Sequence, residues 1–122
     1  VREKGYKKLV VWQKADELAY QIYLATKSFP KEEIYGITSQ LRRAALSVPL
    51  NIVEGYGRQG KKELKRFINV ALGSLAEIEY LLDFSFKLSY LKQKDYKRTS
   101  GFTPRSRKST MEILQITITG AL

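Results

Sequence analysis

The chain contains no cysteine and no histidine among its 122 residues. Without thiols it can form no disulfide and offers no thiolate to a metal, which makes a cytoplasmic setting the expectation. Without imidazole it lacks the commonest general base, the commonest metal ligand and the side chain that titrates near neutral pH. Chemistry would fall to carboxylates, Lys, Tyr, Ser or Thr, and no spacing of these supports it, so no enzyme, catalytic residue, metal site or cofactor is expected. Long apolar runs are missing too: none approaches the about 20 residues of a membrane-spanning helix, and no membrane partner is expected. The opening VREKGYKK is followed by no apolar stretch with a small-residue cleavage site, so no secretory leader is expected either.

Acid is scarce. Against 22 Lys and Arg stand 12 Asp and Glu, a net charge of +10. Residues 91–122 carry seven basic side chains and two acidic ones. Such a balance favours polyanionic partners. The length suits one domain with a real core.

Helical periodicity dominates the first ninety residues, with apolar positions three and four apart. A first helix is predicted over 9–28, with Trp12, Ala15, Ala19, Ile22 and Tyr23 on one face and Phe29-Pro30 ending it. A second is predicted over 33–55, with Ile37, Leu41, Ala44, Ala45, Val48 and Ile52 inward and a kink at Pro49. A third is predicted over 61–90, with Leu64, Phe67, Ile68, Ala71, Leu72, Leu75, Ile78, Leu82 and Phe86 inward. Leu46, Leu50 and Val53 on the second, and Val70, Tyr80, Leu81 and Phe84 on the third, form a surplus apolar set. Helices apolar on two faces predict a homo-oligomer. KRTSGFTPRSRKST (97–110) reads as a solvated linker, and MEILQITITGAL after it fits a short helix or a strand equally well.

The stretch GYGRQGKKELKR (55–66) has the spacing G-x-G-x-x-G. A dinucleotide fold needs a strand before the first glycine, and helical SVPLNIVE stands there instead. Gly55 or Gly57 is expected to supply a left-handed residue that stops the second helix, and Gly60 a flexible start for the third. The charges need another account. Arg58, Lys61, Lys62, Lys65 and Arg66 crowd a helix N-terminus, where cations oppose the macrodipole and where N–H donors with Lys and Arg suit phosphate. With Tyr56 as a stacking candidate, these form the candidate nucleic-acid-binding set. SFPK (28–31) is a chance S-x-x-K. Glu79 and Asp83, a turn apart, continue to Lys87 and read as a solvated salt-bridge ladder.

The segments VWQKADELA, FPKEEIYGITSQLRRAALSVPLNIVEGYGR and RFINVALGSLAEIE closely resemble a four-helix-bundle family first noticed as open reading frames in the intervening sequences of bacterial 23S ribosomal RNA genes. The resemblance spans about residues 6–96. It implies an all-α, antiparallel up-down four-helix bundle, commonly a pentamer. A related group assists a reverse transcriptase and its RNA in diversity-generating retroelements. The family signature falls on Gly36, Thr38, Gln40, Arg42, Arg43, Ala44, Ser47, Pro49, Asn51, Ile52, Glu54, Gly55, Gly57 and Arg58. Arg42, Arg43, Ser47, Asn51 and Glu54 are the assembly candidates within it; folding, assembly or ligand binding are all open roles, with assembly favoured. Where similar proteins continue into a fourth Leu- and Glu-rich helix, this chain gives GFTPRSRKSTMEILQITITGAL, so a short or atypical fourth helix is expected. The functional expectation is structured-RNA binding without catalysis; the alternative is a protein-interaction scaffold with no nucleic-acid ligand.

Overall fold

The computed structural model describes residues 5–101. Four helices follow one another: α1 (Val10–Thr26), α2 (Ile37–Gly57), α3 (Lys61–Lys87) and α4 (Gln93–Ser100). Short 3-10 turns occupy Gly5–Lys8 and Lys31–Glu33, and no strand occurs among the described residues. The architecture is an all-α, antiparallel up-down four-helix bundle with a short last helix. Helix α2 is its spine, packed most extensively on α3 and next on α1, while α4 touches both α3 and α1.

The core follows the 3.6-residue stripes. All six expected inward residues of α2, from Ile37 to Ile52, are buried, against Ala15, Leu18, Ala19 and Ile22 of α1 and Leu64, Ile68, Ala71, Ile78 and Leu82 of α3. Each fully buried Leu or Ile contributes about 1.5–3 kcal/mol over an exposed one. Two residues of α3 change places relative to expectation. Leu81 joins the core at 7% exposure, while Phe86 is 39% exposed. The reason is α4: Phe86 stacks on Tyr96 with ring centroids 4.5 Å apart, and the Tyr96 hydroxyl donates to Asp83 at 2.7 Å. Asp83 is thus tied across to α4, which the expected Glu79–Asp83–Lys87 ladder did not foresee.

Helix boundaries also differ. Before α2, residues 31–33 form a 3-10 turn, and the Glu33 carboxylate accepts from the Ile37 N–H at 3.4 Å, so the α-helix starts at Ile37. Pro49 does not break α2. Helix α3 stops at Lys87 because Ser89 takes the left-handed conformation (φ 65°), which turns the Tyr90 N–H back onto Ser85 O at 2.9 Å. Lys97–Ser100, expected in a linker, are helical: Thr99 is 1% exposed and donates to Asp95 O at 2.8 Å, and Lys97 and Arg98 face the negative end of the helix dipole. The rest of the predicted linker beyond Gly101, and MEILQITITGAL, lie outside the described residues.

At this end of the bundle, two loops are joined by one bond. The Tyr90 hydroxyl donates to Glu33 at 3.0 Å, and its ring packs on Phe29 with centroids 5.7 Å apart. That hydrogen bond foremost, then partial desolvation and the charges of Glu33 and Glu32, hold the phenol above its ordinary value. The unfolded phenol loses its proton first, near pH 10, so this contribution to stability is whole below about pH 10 and is lost as pH rises through the folded value. Urea unfolding of Tyr90→Phe should therefore show a deficit against the parent at neutral pH that closes in the alkaline range; a deficit independent of pH would contradict the assignment.

Candidate nucleic-acid interface

The corner between α2 and α3 is set by how closely the two helices meet. A Cβ built on Gly55 would lie 3.0 Å from Leu64 Cδ1 and 3.1 Å from Phe67 Cβ, so only a residue without a side chain lets α3 approach here unhindered. Neither Gly55 nor Gly57 is left-handed, contrary to expectation: α2 runs through both, and Arg58 ends it in extended conformation. The left-handed turn residue is Gly60, with φ 93°. Helix α3 then begins at Lys61, beside the last turn of α2.

The fold gathers the predicted cations but does not leave them alike. Arg58 pairs with Glu54 at 3.5 Å and Arg66 with Glu63 at 3.1 Å. Both guanidiniums also lie over the Phe67 ring, 5.6 Å and 4.5 Å from its centroid. Lys61, Lys62 and Lys65 are exposed and make no hydrogen bond or ion pair among the described residues. Lys61 and Lys65 lie one turn apart on the same side of the helix, about 6 Å along its axis.

Tyr56 is 41% exposed, but the hydroxyl end of its ring lies against the backbone of Gly5. This contact reveals two residues that sequence reasoning left out. The turn Gly5–Lys8 packs on α1 and α2, and Gln13 Nε2 donates to Lys7 O at 2.8 Å. Lys7 and Lys8, both exposed, thereby stand at the same end of the bundle, on a turn that packs on α1 and α2. Their proximity was available in principle, since an up-down bundle sets the start of its first helix beside the end of its second. The α2–α3 corner itself holds five cations (Arg58, Lys61, Lys62, Lys65, Arg66) and the two acids Glu54 and Glu63, a formal excess of three.

The five assembly candidates of α2 divide by what they touch. Arg42 Nε donates to Thr26 Oγ1 at 2.8 Å and its guanidinium lies 4.8 Å from the Tyr23 ring centroid, tying α2 to the last turn of α1. Thr26 passes the bond on to Ile22 O at 2.8 Å. Ser47 accepts from Ser74 at 2.8 Å across the α2–α3 seam, and Asn51 Nδ2 donates to Ser47 O at 2.7 Å. Glu54 holds Arg58. Arg43 is exposed and, among the described residues, reaches only Ser39 Oγ, at 3.3–3.4 Å; with Tyr35, Gly36, Gln40 and Glu77 it lines an open depression of about 410 Å³. Of the surplus apolar set, Leu46, Leu50, Val70, Tyr80 and Phe84 remain exposed, Val53 is half-buried and Leu81 is in the core. Among the described residues, no helix is long and apolar enough to cross a membrane.

A protein-family model described as 23S rRNA-intervening sequence protein matches residues 7–117. The chain belongs to this family. The crystal structure of a protein of unknown function from the S23 ribosomal protein family of Bacteroides thetaiotaomicron superposes with a TM-score of 0.72 at 23% identity, over 92% of this chain and 98% of that one. At that identity the likeness is one of fold. No curated protein matches the chain.

The two adjacent arginines of the family signature should separate by stability. Arg42→Met should cost about 1–2 kcal/mol, because Thr26 and the end of α1 lose a charged donor. Arg43→Ala should stay within about 0.5 kcal/mol of the parent. Urea unfolding at neutral pH checks both, and equal losses would contradict the division.

Proposed function

We propose that this chain is a non-enzymatic, self-associating bundle protein that binds structured RNA through the basic corner where α2 meets α3. The observation that carries the reading is the trio Lys61, Lys62 and Lys65, exposed in the first two turns of α3 and without an ion pair among the described residues. Lys61 and Lys62, in the first turn, each oppose the macrodipole by roughly 0.3–1 kcal/mol at low salt. One acid, Glu63, is present in that turn to offset them. A phosphate backbone reverses the sign of this cost, since it meets both the lysines and the free N–H groups of the turn. Self-association is supported by the apolar residues left on the outer faces of α2 and α3, with Leu50 58% and Tyr80 65% exposed. A pentameric ring and a reverse transcriptase partner, suggested by the family resemblance, extend the same proposal.

The same outer faces favour a second reading, a protein-binding scaffold whose basic character is incidental. Salt separates the two. Fluorescence anisotropy with a structured RNA across a salt series should show log affinity falling with log salt at a slope of about −3 to −5, for four or five phosphates contacted. Changing Lys61, Lys62, Lys65 and Arg66 together to Ala should weaken binding and flatten that slope. Absence of binding at low salt, or binding indifferent to the four substitutions, would overturn the RNA reading in favour of the scaffold.

A further inference from the structure

We infer that the open depression at the first turns of α2 is a site for a guanine base, separate from the basic corner and independent of the RNA reading proposed for it. The depression is lined by Tyr35, Gly36, Gln40, Arg43 and Glu77, and its volume of about 410 Å³ falls in the range of small-ligand sites, roughly 300–1,000 Å³. From Arg43 to Gly57, where α2 ends, is about 21 Å along the helix axis, so the depression and the lysines of α3 are different places.

The charges that line it are opposite in sign and unpaired. At the corner, Arg58 and Arg66 each find a carboxylate, at 3.5 and 3.1 Å. Arg43 and Glu77 line one depression from neighbouring helices and do not pair with each other. Glu77 makes no hydrogen bond or ion pair among the described residues. Arg43 turns Nε and one Nη toward Ser39 Oγ, at 3.4 and 3.3 Å, which leaves the other edge of the guanidinium free.

A carboxylate only accepts and a guanidinium only donates. A ligand that satisfies both presents paired donors to Glu77 and paired acceptors to Arg43 from adjacent edges of one small body. Guanine does so: N1–H and the N2 amino group suit the two carboxylate oxygens, and O6 with N7 suit the guanidinium fork. Adenine sets its N6 amino group against the guanidinium and its N1 lone pair against the carboxylate, so it opposes both residues.

Tyr35 supplies a platform. Its ring is 95% exposed and has no aromatic, cationic or hydrogen-bonding partner among the described residues. It stands just before the turn into α2. Gly36 permits that turn, since a Cβ there would lie 2.5 Å from Glu33 Oε1, the atom that accepts from the Ile37 N–H. A bare aromatic face beside hydrogen-bonding groups is how single unstacked bases are held. An amino-acid zwitterion would also carry both charges, but it would leave that face unused, so the site favours the planar base.

The test is isothermal titration of the full chain with GMP, IMP and AMP, which share sugar and phosphate and differ only in the base. GMP should bind about tenfold or more tighter than AMP, and IMP, which lacks the amino group directed to Glu77, should fall between them. Glu77→Gln and Arg43→Met should each remove the preference while urea unfolding keeps the parent midpoint. Tyr35→Ala should weaken all three nucleotides alike, because stacking tolerates any base. K61A/K62A/K65A should leave the preference intact. Two RNA hairpins of one stem, differing only in a single unpaired loop residue, G or A, distinguish the source of the base. Tighter binding of the G hairpin that Glu77→Gln removes assigns the site to guanine carried in RNA, and a preference confined to GMP assigns it to the free nucleotide. No preference for guanine in either set, or a preference unchanged in Glu77→Gln and Arg43→Met, would overturn the inference and leave the reading of the corner untouched.

Discussion

The close approach of α3 to α2 is the constraint on which the rest depends. It is made possible at one end by Gly55, against which Leu64 and Phe67 pack, and held midway by the Ser47–Ser74 hydrogen bond. With the two helices this near, three residues suffice to reverse the chain, and the first turn of α3 must stand beside the last turn of α2. Phe67 is fixed by the same contact. It becomes the surface on which Arg58 from the loop and Arg66 from the helix both settle. A bulkier residue at position 55 would push the helices apart and, with them, the arginines and the lysines that flank them.

That geometry sorts one cluster of like charge into two kinds. The arginines each pair with a carboxylate and lie over the Phe67 ring; such exposed pairs contribute little, about 0–1 kcal/mol. The lysines are left with their charge unspent. Bundle stability therefore comes from the buried Leu, Ile and Ala stripes, while the corner carries an electrostatic cost that favours an anionic partner. The opposite end of the bundle is built differently, around Glu33, Tyr90 and Phe29, with an acid as its centre.

Much of this was legible in the sequence because periodicity reports burial directly. All six apolar residues of the α2 stripe, Ile37 to Ile52, are buried because they repeat at helical spacing; Thr38, Pro49 and Gly55 are buried beside them. Reading failed where a residue's neighbour was remote in sequence. Phe86 shares the helical phase of the core, but Tyr96, ten residues on, draws it outward. Lys97–Ser100 look like linker by composition, yet Thr99 and Tyr96 give that short segment a buried side. By spacing Gly55, Gly57 and Gly60 all look like turn formers, and only Gly60 is left-handed; the role of Gly55 depends on Leu64 and Phe67, which no local pattern shows. The lysines of α3 are visible as a run, whereas Lys7 and Lys8 reach the same end of the bundle through the packing of the N-terminal turn on α1 and α2. The family signature was legible as a pattern, but the division of Arg42 from Arg43 needed the position of Thr26.

On the RNA reading, an anionic ligand seats at the corner where α2 meets α3. Lysine acetylation, quantified residue by residue with and without a saturating RNA hairpin, tests this most directly. Lys61, Lys62 and Lys65 should be protected, with labelling of Lys27, Lys31 and Lys87 toward the other end unchanged. Protection of that second group, or equal labelling of all lysines while RNA is demonstrably bound, would contradict it.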